Sequence, residues 1–266
     1  MLRDITIGQY LARDTAIHRL DPRTKILSTM LFMILLFLVP HLVGYAFLGI
    51  FAAIVVALAG IPPRMLLRGI RSLAFILTLT FLLQLFMTRG QPLFALGPLV
   101  ATREGLVMGA FMISRLTLLI VMTSLLTLTT SPIALTDGLE YLLRPFRRFG
   151  LPAHELAMMM TIALRFIPTL LEEADKIMKA QMARGADFRS GNLLRRARSL
   201  IPLLVPLFVS AFRRADELAL AMEARCYRGG EGRTRMNQLA FAPRDGVAFV
   251  TIGVMFVGVL ILRVWL

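Results

Sequence analysis

From Ile26 to Ile61 the chain runs 36 residues without an Asp, Glu, Lys or Arg. As a single helix this run would reach about 54 Å at a rise of 1.5 Å per residue, far beyond a hydrocarbon core of about 30 Å. Pro40-His41 and Gly44 fall near its middle, so it reads as a hairpin of two spans. Leu73 to Met87 makes a third span, Glu104 to Thr130 a fourth and Gly246 to Leu266 a fifth. A chain of 266 residues that is 57% hydrophobic and 17% charged carries too little charge for a soluble domain of that length. The fold class is therefore all-α, a polytopic membrane protein with five spans.

The basic residues orient these spans. Lys and Arg number five in residues 1–25, none in loop 40–43, three in loop 62–72, two in loop 88–103 and eighteen in segment 131–246. Alternation is consistent when the N-terminus and the large basic segment are cytoplasmic and the C-terminus is external. The chain divides into 1–130, an N-terminal segment with four spans; 131–245, a cytoplasmic domain; and 246–266, the last span. A net charge of +14 in so apolar a chain points to anionic lipid and cytoplasmic loops, not nucleic acid. The stretch from Met1 to Leu20 holds Arg3, Arg13 and Arg19 and no clean apolar block, so no removable signal peptide is expected.

Segment 131–245 says one thing twice. Ala174-Asp175, Ile177, Ala180, Ala183 and Arg184-Gly185 recur, offset for offset, as Ala215-Asp216, Leu218, Ala221, Ala224 and Arg225-Cys226. Alanines three apart share a helical face and let another helix approach. Each copy ends on an Arg, which the helix dipole favours at a C-terminus, followed by a helix-stopping or small residue. Two matched tips suggest a two-lobed or two-subunit partner; capping alone also places Arg at helix ends. Leu170, Leu171, Ala174, Ile177, Met178 and Met182 fall on one face, and Phe208, Phe212, Ala215, Ala219 and Met222 repeat that pattern. Long amphipathic helices along the inner membrane face follow, kinked or broken at Pro168, Pro202 and Pro206. Leu156 to Ile167 and Leu200 to Val209 are apolar enough to dip into the bilayer, which leaves a sixth or seventh partial span open.

Just before the first span stand Tyr10, Asp14-Thr15, His18, Leu20-Asp21-Pro22-Arg23 and Lys25. This resembles the S/T-x-x-H-x-L-D-P-R-x-K signature of the transmembrane T component (EcfT-like, including the CbiQ branch) of energy-coupling-factor (ECF) transporters. The paired Ala-Arg tips are similar to that family's two Ala-Arg-Gly motifs at the ends of its coupling helices. The resemblance runs from residue 10 to the last span, and only the two motif regions are specific. It implies a cell-membrane importer subunit that joins two cytoplasmic ATPases (EcfA and EcfA′) to a small substrate-binding S component. The cargo would be a vitamin or a metal ion, with ATP and Mg2+ bound by the ATPases and no cofactor in this chain. It further implies that Ala183, Arg184 and Gly185, and Ala224, Arg225 and Cys226, insert into grooves on the two ATPases. Cys226 stands where the family usually has Gly; Cys is small, but a left-handed backbone suits it less, and Gly229-Gly230 could supply the chain reversal.

The remaining residues support a coupling role without catalysis. The chain lacks GxxxxGK[ST], and Gly229-Gly230-Glu231-Gly232-Arg233 lacks the lysine of a phosphate loop. Cys226 is the one cysteine, which excludes an internal disulfide and a CxxC metal site. His18 and Asp21 read as anchors of the segment entering the first span, with Pro22 at the first helical position; His41 and His154 stand alone. Arg115, midway along the fourth span, is expected to face the interior and bond to backbone carbonyls or Gln84. Asp175 and Asp216 are expected to pair with Lys179 and Arg213 or with the other coupling helix. Met158, Met159, Met178 and Met182, with Met160 and Met222, are either an adaptable surface for S components or plain core packing. Two other classes stay open. An ABC permease half would line several spans with polar groups, and a membrane-embedded enzyme would need a catalytic or metal constellation that three scattered His and one Cys do not supply.

Overall fold

The computed structural model describes residues 10–39, 41–96, 99–186, 193–229 and 239–265. Arg3, Pro40, Gly97, Pro98, the stretch Gly230 to Arg233 and Leu266, named above, lie outside the described residues. Helices run α1 (Pro22–Leu38), α2 (Leu42–Ala59), α3 (Pro63–Ser72), α4 (Ala74–Met87), α5 (Arg103–Thr129), α6 (Pro132–Leu143), α7 (Ala153–Ala183), α8 (Leu193–Ala224) and α9 (Pro243–Trp265), with a 3-10 helix at Arg144–Phe149. The described residues form two compact units, one within 10–139 with 239–265 and one within 140–229.

In the first unit the apolar residues of α1, α2, α5 and α9 make one core. Phe32, Leu35, Leu36, Leu48, Met122 and Val259 are buried there. The opposite faces stay apolar and uncovered: Val43, Phe47, Ile50, Ile54 and Leu58 on α2, and Val247, Val250, Val254, Val257 and Ile261 on α9. Spacings of three and four residues make each set one helical stripe, the pattern of helices solvated by hydrocarbon. α4 packs tightly on α5 because Gly105 and Gly109, four residues apart, present bare backbone. A Cβ on Gly105 would stand 2.6 Å from the Gln84 carbonyl oxygen, and one on Gly109 would stand 2.7 Å from the Phe81 ring.

By length and composition α2, α5, α7 and α9 can each cross a membrane, and α3 with α4, bent by 59°, can make a fifth crossing. The fold is thus an all-α, multi-spanning one, as the hydropathy implies. Three details differ from the sequence expectation. α1 has 17 residues and starts at Pro22, before the uncharged run. α7 qualifies as a crossing with a mean hydropathy of 1.2 in its best window. Loop 88–103 holds a short antiparallel hairpin, β1 (Pro92–Leu96) with β2 (Leu99–Thr102). Its Leu, Phe and Val suit extended backbone, and Gly97-Pro98 punctuates the two runs in the sequence.

The second unit is built on α7 and α8, 31 and 32 residues long. None of the three prolines ends its helix: Pro168 lies inside α7, and Pro202 and Pro206 inside α8. A proline removes one backbone donor and clashes with the preceding turn, which bends a helix but breaks it only where packing does not hold the flanks. Where α7 and α8 meet, Glu173 accepts from the Ser210 hydroxyl at 2.5 Å and from the Arg214 guanidinium at 2.7 Å.

Candidate functional site

The two repeat copies end in the same backbone construction. At the end of α7, Arg184 is the C-cap, Gly185 takes φ +88°, Gly185 N–H donates to Met182 O at 3.0 Å, and Ala186 N–H donates to Gln181 O at 3.0 Å. At the end of α8, Cys226 takes φ +54°, Cys226 N–H donates to Glu223 O at 2.8 Å, and Tyr227 N–H donates to Met222 O at 3.0 Å. Both are Schellman caps, equivalent across the repeat in every donor and acceptor. Cys226 is the one positive-φ residue other than glycine among the described residues. The reversal therefore occurs at Cys226 itself, and Gly229, also left-handed at φ +85°, follows it.

These caps decide what the arginines can do. Main-chain donors reach the Gln181 and Met182 carbonyls at one tip and those of Met222 and Glu223 at the other, and no side-chain bond from either guanidinium group to a terminal carbonyl is found among the described residues. Ala183, Arg184, Gly185, Ala224, Arg225 and Cys226 are all exposed. Neither Arg184 nor Arg225 has a side-chain partner among the described residues. Each presents five N–H donors in a rigid fork, suited to carboxylates and backbone carbonyls of another molecule.

The helix crossing fixes where the tips stand along their helices. Glu173 and Arg214 occupy equivalent positions in the two copies, and they touch. Arg184 and Arg225 each lie 11 residues past that contact, about 16 Å along its own helix. A cleft of about 510 Å³ opens beside the crossing, lined by Phe166, Arg213 and Glu217 among others. Asp175 pairs with Lys179 at 2.7 Å as expected, whereas Asp216 and Arg213 do not pair. Of the repeated alanines only Ala174 is buried, so the rest of that small-residue face is open.

The repeat reaches further back than the sequence reading followed it. Met159, Met160 and Ile167 are exposed on α7, and their equivalents Leu200, Ile201 and Phe208 are exposed on α8. The same offset, carried back through both apolar runs, would have found this pair of stripes. The methionines do not form one cluster. Met158 and Met178 are 20 residues apart on one continuous helix, about 30 Å. Met158 and Met178 are half-buried, and Met159 and Met182 are exposed.

The signature before the first span builds a buried polar knot. Asp21 is the N-cap of α1 and accepts from Arg23 N–H at 2.9 Å, with Pro22 at the first helical position. Arg23 donates to Leu239 O at 3.0 Å and lies over the Phe241 ring at 5.1 Å. Lys25 donates to the carbonyls of His18 and Thr129, each at 2.9 Å. His18 Nδ1 sits 2.8 Å from the Thr15 hydroxyl, and burial, then the Lys25 charge, pushes its pKa down. Leu20 is half-buried beside it.

The sequence reading missed the centre of this knot, Asp245, which is 2% exposed. Its two oxygens accept Asp21 N–H at 2.9 Å and Ala242 N–H at 2.8 Å, the cap donors of α1 and α9. Asp three residues after Ala242, with Pro243 between them, is half of a capping box. Arg115 donates to the Tyr45 hydroxyl at 2.9 Å and lies over Phe37 at 4.9 Å, not against Gln84, which accepts from Thr88. His154 does not stand alone, since it meets Glu140 at 3.1 Å.

Uncovered apolar stripes, on helices of which four or five are long and apolar enough to cross a membrane, define a multi-pass α-helical membrane protein. The chain belongs to the CbiQ/EcfT family of energy-coupling factor transporter transmembrane proteins. The CbiQ family profile, described as a cobalt transport protein, matches residues 13–236. A protein from Thermosediminibacter oceani, named "Energy-coupling factor transporter transmembrane protein EcfT", is 63% identical, covering 99% of this chain and 100% of its own length. Relatives of the same name from Clostridium kluyveri and Bacillus subtilis are 54% and 50% identical, over 100% and 95% of this chain and 99% and 96% of theirs.

Proposed function

We propose that this chain is the mechanical link of an ECF importer, joining two cytoplasmic ATPases to an S component that binds a vitamin or a metal ion. The observation that carries the reading is the pair of equivalent Schellman caps, each leaving an exposed arginine with no side-chain partner among the described residues, at equal distance from one helix crossing. Arg184 and Arg225 each enter a groove on one ATPase. The uncovered stripes of α7 and α8, with Met158, Met159, Met178 and Met182 along α7, meet the S component. ATP and Mg2+ belong to the ATPases, and this chain does no chemistry of its own. Residues 131–245 act as the cytoplasmic coupling domain, the N-terminus is cytoplasmic and the C-terminus external. Closure of the ATPases moves the two tips relative to each other, and the helix bodies carry that motion to the S component.

Arg184→Glu with Arg225→Glu tests this reading. Losing a buried, hydrogen-bonded charge at an interface costs about 2–5 kcal/mol, so co-purification of the ATPases should fall by about 30-fold or more. An intact complex would refute the assigned tips. Met158→Asp with Met159→Asp should abolish S-component capture and leave ATPase binding intact; loss of both together would remove the division between the two surfaces.

A further inference from the structure

The 3-10 helix Arg144–Phe149 is short, and its residues are exposed. Arg144, Phe146, Arg147, Arg148 and Phe149 are all exposed, Phe149 at 87% and Phe146 at 53%. The two rings lie side by side with centroids 6.4 Å apart. The segment itself holds no acidic residue, and the nearest upstream carboxylate, Glu140, is already engaged with His154. Water is a poor solvent for two adjacent bare phenyl rings, and among the described residues no groove of this unit receives them.

Rings beside guanidinium groups on one short element match the membrane–water boundary. Aromatic rings rest at headgroup depth, and arginines pair with lipid phosphates and with the negative potential of anionic leaflets. Connectivity keeps the segment near the bilayer. From the end of α5 at Thr129, the intervening chain is mostly α6, 12 residues and about 18 Å long. Gly150, at φ +86°, then turns the chain into α7. We infer that Arg144–Phe149 is an interfacial anchor for anionic phospholipid: Phe146 and Phe149 enter the headgroup–acyl boundary, and Arg144 and Arg148 bind lipid phosphates. An anchor there fixes the start of α7 against the bilayer while its far tip stays free to move. This last consequence rests on the coupling role proposed above; the lipid binding does not.

The test places a reporter on the anchor. In the full chain with Trp265, the sole tryptophan, replaced by Phe, Phe149→Trp is reconstituted in bilayers of phosphatidylcholine with phosphatidylglycerol. One of the two lipids carries bromine on its acyl chains. Tryptophan emission should be blue-shifted and quenched about two-fold more by brominated phosphatidylglycerol than by the brominated choline lipid at equal mole fraction. Arg144→Gln with Arg148→Gln should make the two lipids equal quenchers, and high salt should weaken the preference in the unsubstituted background. Both leaflets carry both lipids, so the result is independent of the orientation of the chain. Emission typical of water with no quenching, or equal quenching by both lipids before the arginines are changed, overturns the proposal. So does quenching that disappears in the assembled transporter, which would mean that a protein covers the surface.

Discussion

The two units treat helix ends in opposite ways. In the spanning unit, the N-termini of α1 and α9 both donate to the buried carboxylate of Asp245, and Asp21, Arg23 and Lys25 beside it are buried as well. In the second unit, the C-termini of α7 and α8 are closed by their own main chains, and the charged side chains are turned outward. Side-chain capping ties a terminus to its surroundings. Main-chain capping frees the terminal side chain for another molecule. The first arrangement suits a fixed frame, and the second suits a surface that engages and releases.

Asp245→Ala should break this contrast with the largest effect. It strands two cap donors and leaves Arg23 and Lys25 with less opposing charge, at a cost of about 3–5 kcal/mol. The purified full chain in detergent should show a markedly lower melting temperature, and Asp245→Asn a smaller loss. A melting temperature unchanged by Asp245→Ala would mean the knot does not hold the unit.

A glycine exchange at the tips sharpens the comparison at intermediate size. Gly185→Ala should cost about 1 kcal/mol, because its left-handed φ disfavours a Cβ although nothing crowds the position. Cys226→Gly should gain a similar amount, relieving the same strain at φ +54°. Neither change touches an arginine, so ATPase co-purification should be preserved in both. Loss of the complex in Gly185→Ala would show that cap geometry itself is recognised.

The smallest effect is a pH dependence confined to the knot. Burial, then the Lys25 charge, holds His18 below its ordinary value of 6.5, so the folded knot keeps it neutral at a pH where the unfolded chain protonates it. Its contribution is complete above 6.5 and is lost as the pH falls from there through the lowered value. Thermal melts of the full chain should decline slightly over that window, and His18→Gln should flatten the decline. An equal decline in His18→Gln would assign it to groups outside the knot.

Much of this was legible in the residues. Hydropathy runs gave α2, α4, α5 and α9 because a helix in lipid has to satisfy its own backbone, which leaves composition as the main signal; α7, only marginally apolar, was read as part of the cytoplasmic segment, and α1, read as the first span, is one residue shorter than α2. The echo between the two copies gave both tips because cap geometry is local and recurs with its sequence. The hairpin at Pro92–Thr102 was hidden in a loop whose Gly and Pro outweighed two short apolar runs. Asp245 was invisible for a different reason. Its partner, Asp21, is 224 residues away, and no local pattern announces a contact at that separation. Met158 and Met178 were grouped as one surface, and a continuous α7 sets them about 30 Å apart.

The carboxylate shared by α1 and α9 sets an order of events during synthesis. α1 is made and can enter the bilayer early, yet its cap donor has no permanent acceptor until the ribosome has added more than two hundred further residues. The spanning unit is therefore fastened by a residue made long after the helix that needs it. A chain cut short before α9 would present an open first helix, a defect that quality-control proteases could recognise.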